Sequence, residues 1–147
     1  MTTPTEGQTE GQTERPPFPA PVPTEDNQPF WDALTEGRLV AQECASCSGL
    51  VHPPRPMCPE CGSFDKTWRE MSGQGEVYSY VVTHQAIHPS YNGHLPYATV
   101  VVQLEEGPLL TTNLVDAGVD EIEIGMPVGV EFVPLSEEIT LPLFRRA

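Results

Sequence analysis

Four cysteines stand in two pairs, Cys44-Ala45-Ser46-Cys47 and Cys58-Pro59-Glu60-Cys61, with ten residues between the pairs. Zn²⁺ favours a tetrahedron of four thiolates, each about 2.3 Å from the metal. A two-residue spacer lets the backbone turn so that both sulfurs of a pair face one centre. Gly49 and Gly62 follow the pairs and are expected where the chain curls around that centre. Pro53, Pro54 and Pro56 stiffen the insert between them. Protein would fill all four coordination positions, leaving none for water or substrate, so the metal is expected to be structural. Residues 44–61 carry too little apolar content to fold without it. Iron also suits four sulfurs, and disulfides suit an oxidising compartment. A thioredoxin-like site would need one C-x-x-C beside a βαβ pattern, which the chain lacks. Structural zinc is the favoured reading of Cys44, Cys47, Cys58 and Cys61. Nearby His52 is read as a partly exposed histidine outside the ligand set.

A second group with chemical potential lies between Thr83 and Tyr97, where His84, His88, Tyr91, His94 and Tyr97 gather within fifteen residues. Their side chains can donate hydrogen bonds to a carbonyl, exchange protons or make interface contacts. They form no metal-ligand spacing, and an exposed hairpin loop is the alternative. Pro89 and Asn92-Gly93 are turn formers in either case. The chain has no Gly-rich phosphate loop, no G-x-S-x-G elbow and no H-E-x-x-H helix, so no catalytic set of its own is expected. Glu105-Glu106 and Glu137-Glu138 read as solvated charge, and Arg145-Arg146 as a frayed terminus or a partner contact.

These groups need elements to hold them. Asp26 or Asn27 can cap a helix with Pro29 in its first turn, Phe30, Trp31 and Leu34 on one side, and Gly37 as its stop. Two turns are too few to be stable alone, so Phe30 and Trp31 must dock, either on this chain or on another subunit. Segments 38–43, 50–52 and 66–69 read as short strands around the cysteines. Beyond the Ser72–Gly75 turn cluster, five segments rich in Val, Ile, Tyr and Thr follow: 76–85, 97–105, 109–115, 128–133 and 139–144. Five short strands match a small barrel, with the five-stranded OB-fold leading, whereas a sandwich needs about seven. The expected organisation is mainly β. Residues 1–28 form a disordered tail with Thr-Glu-Gly-Gln repeats and a proline run, 29–70 a short helix plus zinc ribbon, and 71–147 the barrel.

Length and charge agree with this plan. The chain has 147 residues, and its 17 prolines argue against long helices. Net charge is −14, and eleven acidic residues but no Lys or Arg lie from Glu70 to Phe144. Nucleic-acid binding through phosphate neutralisation is therefore not expected. No apolar stretch approaches the roughly 18 residues of a membrane span, and residues 1–20 show no secretory pattern, so a cytoplasmic protein is expected.

The helix Pro29-Phe30-Trp31-Asp32-Ala33-Leu34-Thr35-Glu36-Gly37-Arg38-Leu39, the Cys44/Cys47 and Cys58/Cys61-Gly62 knuckles, and Gly73-x-Gly75-x-Val77-Tyr78-Ser79-Tyr80 occur in that order. Tyr97–Leu104 and Ile124-Gly125-Met126-Pro127-Val128 follow them. Together these motifs resemble the rubredoxin-like zinc-ribbon/OB-fold proteins associated with acyl-CoA metabolism, over about residues 29–144. The resemblance implies a hetero-oligomer with a thiolase-like enzyme or a hotdog-fold enoyl-CoA hydratase. It implies that a noncatalytic subunit of this type helps shape the partner's acyl-CoA site. Retro-aldolases of steroid side-chain degradation and thiolases of aromatic degradation are the associated activities. Phe30, Trp31, His84, His88, Tyr91, His94 and Tyr97 are then candidates for the partner or substrate rim. OB-folds otherwise often bind oligonucleotides, a use from which this acidic chain departs. The same acidity would repel CoA phosphates, so the partner is expected to hold the nucleotide end.

Overall fold

The computed structural model describes residues 19–147; the Thr-Glu-Gly-Gln repeats and the start of the proline run lie outside the described residues. Helix α1 spans Gln28–Thr35. Asn27 sits at its N-cap position, yet its Oδ1 accepts from the Thr24 N–H at 2.6 Å rather than from the first turn of the helix. The expected side-chain cap is thus spent on a preceding turn, and Pro29 starts the helix without it. At the far end Gly37 takes φ 76°, its N–H bonding Leu34 O at 3.0 Å while that of Arg38 bonds Ala33 O at 2.9 Å. This left-handed Schellman ending is the stop expected of Gly37.

Phe30, Ala33 and Leu34 form the buried stripe of α1, which packs on the chain's own strands. Burying a Phe or Leu side chain contributes about 1.5–3 kcal/mol each, which is what holds so short a helix. The question of where Phe30 docks is settled within the chain. Trp31 meets it edge to face at 5.3 Å and stays half-buried.

Strands β1 (Val40–Cys44), β2 (Leu50–Val51) and β3 (Lys66–Glu70) form an antiparallel sheet in the order β2-β1-β3. Cys44 closes β1 opposite Lys66, so the first sulfur hangs from a sheet rather than a free loop. Buried Gln42 clamps the proline-rich insert, its Oε1 accepting from Arg55 N–H and its Nε2 donating to Arg55 O, both at 2.7 Å.

The second sheet contains β4 (Gln74–Thr83), β5 (Tyr97–Leu104), β6 (Leu109–Thr112), β7 (Pro127–Pro134) and β8 (Thr140–Arg146). Their order is β6-β5-β4-β7-β8, antiparallel throughout. A bulge at Tyr78 bends β4 between Val77 and Ser79. The sheet curls until its ends meet through a parallel bridge from Leu114 to Phe144, with Val115 N–H on Phe144 O at 2.9 Å. Thr112 Oγ1 adds a bond to Pro142 O at 2.8 Å. The result is the curled five-stranded half-barrel of an OB-fold, as expected.

Leu39, Val40 and Met71 share one apolar interior with Leu34 on the helix and Val77, Val100, Val102, Val128 and Phe144 of the barrel. Gly75 marks where β4 passes between β5 and β7: a Cβ there would meet Gln103 O at 2.4 Å.

Candidate metal centre

The sulfurs of all four cysteines lie within 4.8 Å of one another. Cys44 and Cys61 Sγ are 3.5 Å apart, and Cys47 and Cys58 Sγ 3.7 Å. Four thiolates 2.3 Å from one zinc ion stand about 3.8 Å apart along a tetrahedral edge, so the donor set fits the metal. The separations are far from the roughly 2.05 Å of a disulfide. Cys44 and Cys58 are buried, and Cys47 and Cys61 face solvent.

The two knuckles repeat one backbone pattern. Ser48 N–H bonds Cys44 O at 2.9 Å and Gly62 N–H bonds Cys58 O at 3.0 Å. Cys44 N–H bonds Gly49 O at 2.9 Å and Cys58 N–H bonds Ser63 O at 2.8 Å. Gly62 is left-handed at φ 75°, as expected, but its counterpart is Ser48 at φ 62°, not Gly49. Gly49 serves a different need: a Cβ there would stand 3.3 Å from Cys47 Sγ and 3.2 Å from Glu60 Oε2. The knuckles are tied together by Ser46 Oγ donating to Ser63 Oγ at 2.9 Å.

Backbone N–H groups of Cys47 and Ser46 bring the Cys44 thiol down to about 6. Although the Gly49 N–H favours its thiolate, Cys47 is pushed up to about 12 by Cys44, Cys58 and Cys61 around it. The same crowding raises Cys61 against the pull of the Ser63 N–H. Cys47 and Cys61 keep their protons in hydrogen bonds to neighbouring sulfurs, and a divalent cation at the centre would displace those protons.

Beside the ribbon lies a cavity of about 570 Å³ lined by Phe30, Trp31, His52, Tyr91, Asn113 and Leu143, among others. It joins the helix, the proline-rich insert, the β4–β5 loop and strands β6 and β8. Three candidates from the sequence, Phe30, Trp31 and Tyr91, therefore converge on one concavity. Tyr97 supports Tyr91 by stacking at 4.8 Å, and burial raises the Tyr91 hydroxyl above its ordinary value.

His84, His88 and His94 are exposed and do not line the cavity. His88 Nδ1 instead accepts from Ser90 N–H at 3.2 Å, capping the 3-10 turn Pro89–Tyr91. His52, set aside in the sequence, lies 5.3 Å from the Phe30 ring, and burial lowers its pKa to about 4, leaving it neutral at pH 7. No local signal marks Asn113, whose Nδ2 bonds Ala98 O at 2.6 Å.

The C-terminal arginines end β8 and pair within the chain. Arg145 Nε meets Glu131 at 2.5 Å, and Arg146 lies within 3.7 Å of Asp116 and 3.6 Å of Glu121. Glu105 and Glu106 both accept hydrogen bonds from Ser72. Among the described residues no helix is long and apolar enough to cross a membrane.

Residues 31–67 match the family described as ChsH2, rubredoxin-like zinc ribbon domain, and 68–133 match ChsH2, C-terminal OB-fold domain. The chain belongs to this zinc-ribbon/OB-fold family, also called DUF35. One family relative, the "Probable enoyl-CoA hydratase alpha subunit" of Thermomonospora curvata, is 47% identical over 139 residues, 92% of this chain. The chain spans 43% of that relative's length. A "DUF35 domain-containing scaffold protein" of Methanocaldococcus jannaschii is 32% identical over 103 residues, covering 68% of this chain and 71% of the relative. Among solved structures, a chain of an Ltp2-ChsH2(DUF35) aldolase is 46% identical with a TM-score of 0.78, over 86% of this chain and 98% of that one.

Proposed function

We propose that this chain is a noncatalytic accessory subunit of an acyl-CoA enzyme, paired with a thiolase-superfamily aldolase or thiolase. The observation that carries the reading is its 46% identity to a chain of the Ltp2-ChsH2(DUF35) aldolase, 98% of which is covered. Cys44, Cys47, Cys58 and Cys61 hold a structural Zn²⁺. Bound zinc supplies no chemistry beyond fixing the two knuckles, because sulfur fills its coordination.

Phe30, Trp31 and Tyr91 form the apolar rim at the cavity, backed by Tyr97, and His84, His88 and His94 on the loop face the partner. Retro-aldol or thiolytic cleavage of a C–C bond belongs to the partner's catalytic groups. The partner also holds the CoA phosphates, since no Lys or Arg lies between Glu70 and Phe144. A hotdog-fold enoyl-CoA hydratase is the second reading, favoured by the relative named as a hydratase alpha subunit.

Purification of the tagged full chain from its native cell, with the companion identified by mass spectrometry, tests both. A thiolase-superfamily enzyme is the expected companion, and a hydratase would favour the second reading. Recovery without any acyl-CoA enzyme would overturn the proposal.

A further inference from the structure

Residues 77–104 contain no Asp, Glu, Lys or Arg, although 19% of the chain is charged. This neutral run comprises most of β4, all of β5 and the loop between them. Register shows what its outward face looks like. Ser79 stands opposite Val101 and Val81 opposite Thr99, and Thr111 of β6 continues the row beyond Val101. The alternate residues Val77, Val100 and Val102 fill the interior. The solvent side of an antiparallel sheet is ordinarily polar or charged. Here the three-strand face is built of Ser, Thr and Val, with Val81 62% exposed and Tyr78, at the bulge, 55% exposed.

The margin of this face is equally unusual. β4 pairs with β7 only at Gln74–Glu76, while its pairing with β5 runs on to Thr83. The other edge of residues 79–83 pairs with no strand among the described residues. Open edges are normally guarded by Lys, Pro or an inward charge, and none guards this one. An uncharged face bearing Tyr, beside an open edge, has the composition of an interface core.

We infer that the outward face of β4, β5 and β6, with the free edge at 79–83, is the surface on which a protein partner docks through apolar contacts and an added strand. This inference rests on the accessory-subunit reading. Charge decides the kind of partner. Glu76 closes the lower end of the face opposite Gln103, and Glu105 and Glu106 lie just beyond it. A second copy would bring these carboxylates and another net charge of −14 against its own. The fitting occupant is a different subunit, neutral at its centre and bordered by Lys or Arg.

Val81→Glu and Val101→Glu place a charge on this face, and Phe64→Glu, at a 71% exposed position in the zinc ribbon, serves as control. Each tagged full chain is purified from the native cell, its zinc content and Tm are measured, and the acyl-CoA enzyme recovered is quantified by mass spectrometry. The expected result is at least a tenfold loss of that enzyme for Val81→Glu and Val101→Glu, with zinc and Tm held and Phe64→Glu like wild type. Full recovery with Val81→Glu, or equal loss with Phe64→Glu, overturns the docking face and leaves the accessory reading standing. If Val101→Glu also lowers Tm, Val81→Glu decides. Wild type that recovers no acyl-CoA enzyme, or that forms a homodimer broken by Val81→Glu, overturns the inference together with the choice of partner.

Discussion

Ser48 holds a backbone conformation that suits glycine, at φ 62°, in the place that Gly62 fills in the other knuckle. A non-glycine residue in the left-handed region costs roughly 1–2 kcal/mol, part of which glycine gives back through its freer unfolded chain. Ser48→Gly should therefore raise the stability of the zinc-loaded protein by about 0.5–1 kcal/mol, read from urea midpoints. His52 supplies a pH response with a definite sign. Its pKa falls from 6.5 to about 4 because burial beside Phe30 disfavours the imidazolium. Below pH 6.5 the unfolded chain takes up a proton that the folded one refuses until about pH 4. Stability from His52 is thus fully present above pH 6.5 and is lost as pH falls toward 4, by up to about 3 kcal/mol. Its ring resonances should stay those of neutral imidazole between pH 7 and 5, and His52→Gln should flatten the fall in urea midpoint over that range. Neither residue announces itself in the sequence. The left-handed turn at Ser48 is imposed by closing a knuckle, and the burial of His52 by the Phe30 ring, 22 residues away in a different element.

The elements were more legible than the residues. All eight strands lie where alternating β-branched residues and turn clusters suggest them, because strand patterning and turn chemistry are local properties. The same holds for the stop of α1 at Gly37, which needs only one permissive residue. Its start was not legible in detail: Asn27 Oδ1 accepts from the Thr24 N–H, not from an amide of the first helical turn. The zinc ribbon depends most on its centre, since β2 has two residues and much of the segment has no regular structure. Cys58→Ser should lower zinc from about one per chain and reduce Tm by at least about 10 °C, and a strong chelator should do the same to wild type. Metal analysis paired with thermal melting reads both effects. A Tm indifferent to chelation would show that the ribbon stands on packing alone.

At the scale of the molecule, topology brings together what chain position separates. The cavity takes Phe30 from the helix, His52 from the ribbon, Tyr91 from a loop, Asn113 beyond β6 and Leu143 from β8. Phe30, Trp31 and Tyr91 could be singled out from composition and loop position. Asn113 and Leu143 could not, because their place depends on the curl that brings β6 and β8 together at Phe144. Two sheets nevertheless share one continuous interior, in which Leu39 and Met71 touch the same apolar cluster as Val102 and Phe144. Among the described residues, ribbon and barrel are accordingly joined through this shared cluster. An injury to the sulfur-bound end would be transmitted inward as exposed hydrocarbon, and the barrel would feel it before any partner did.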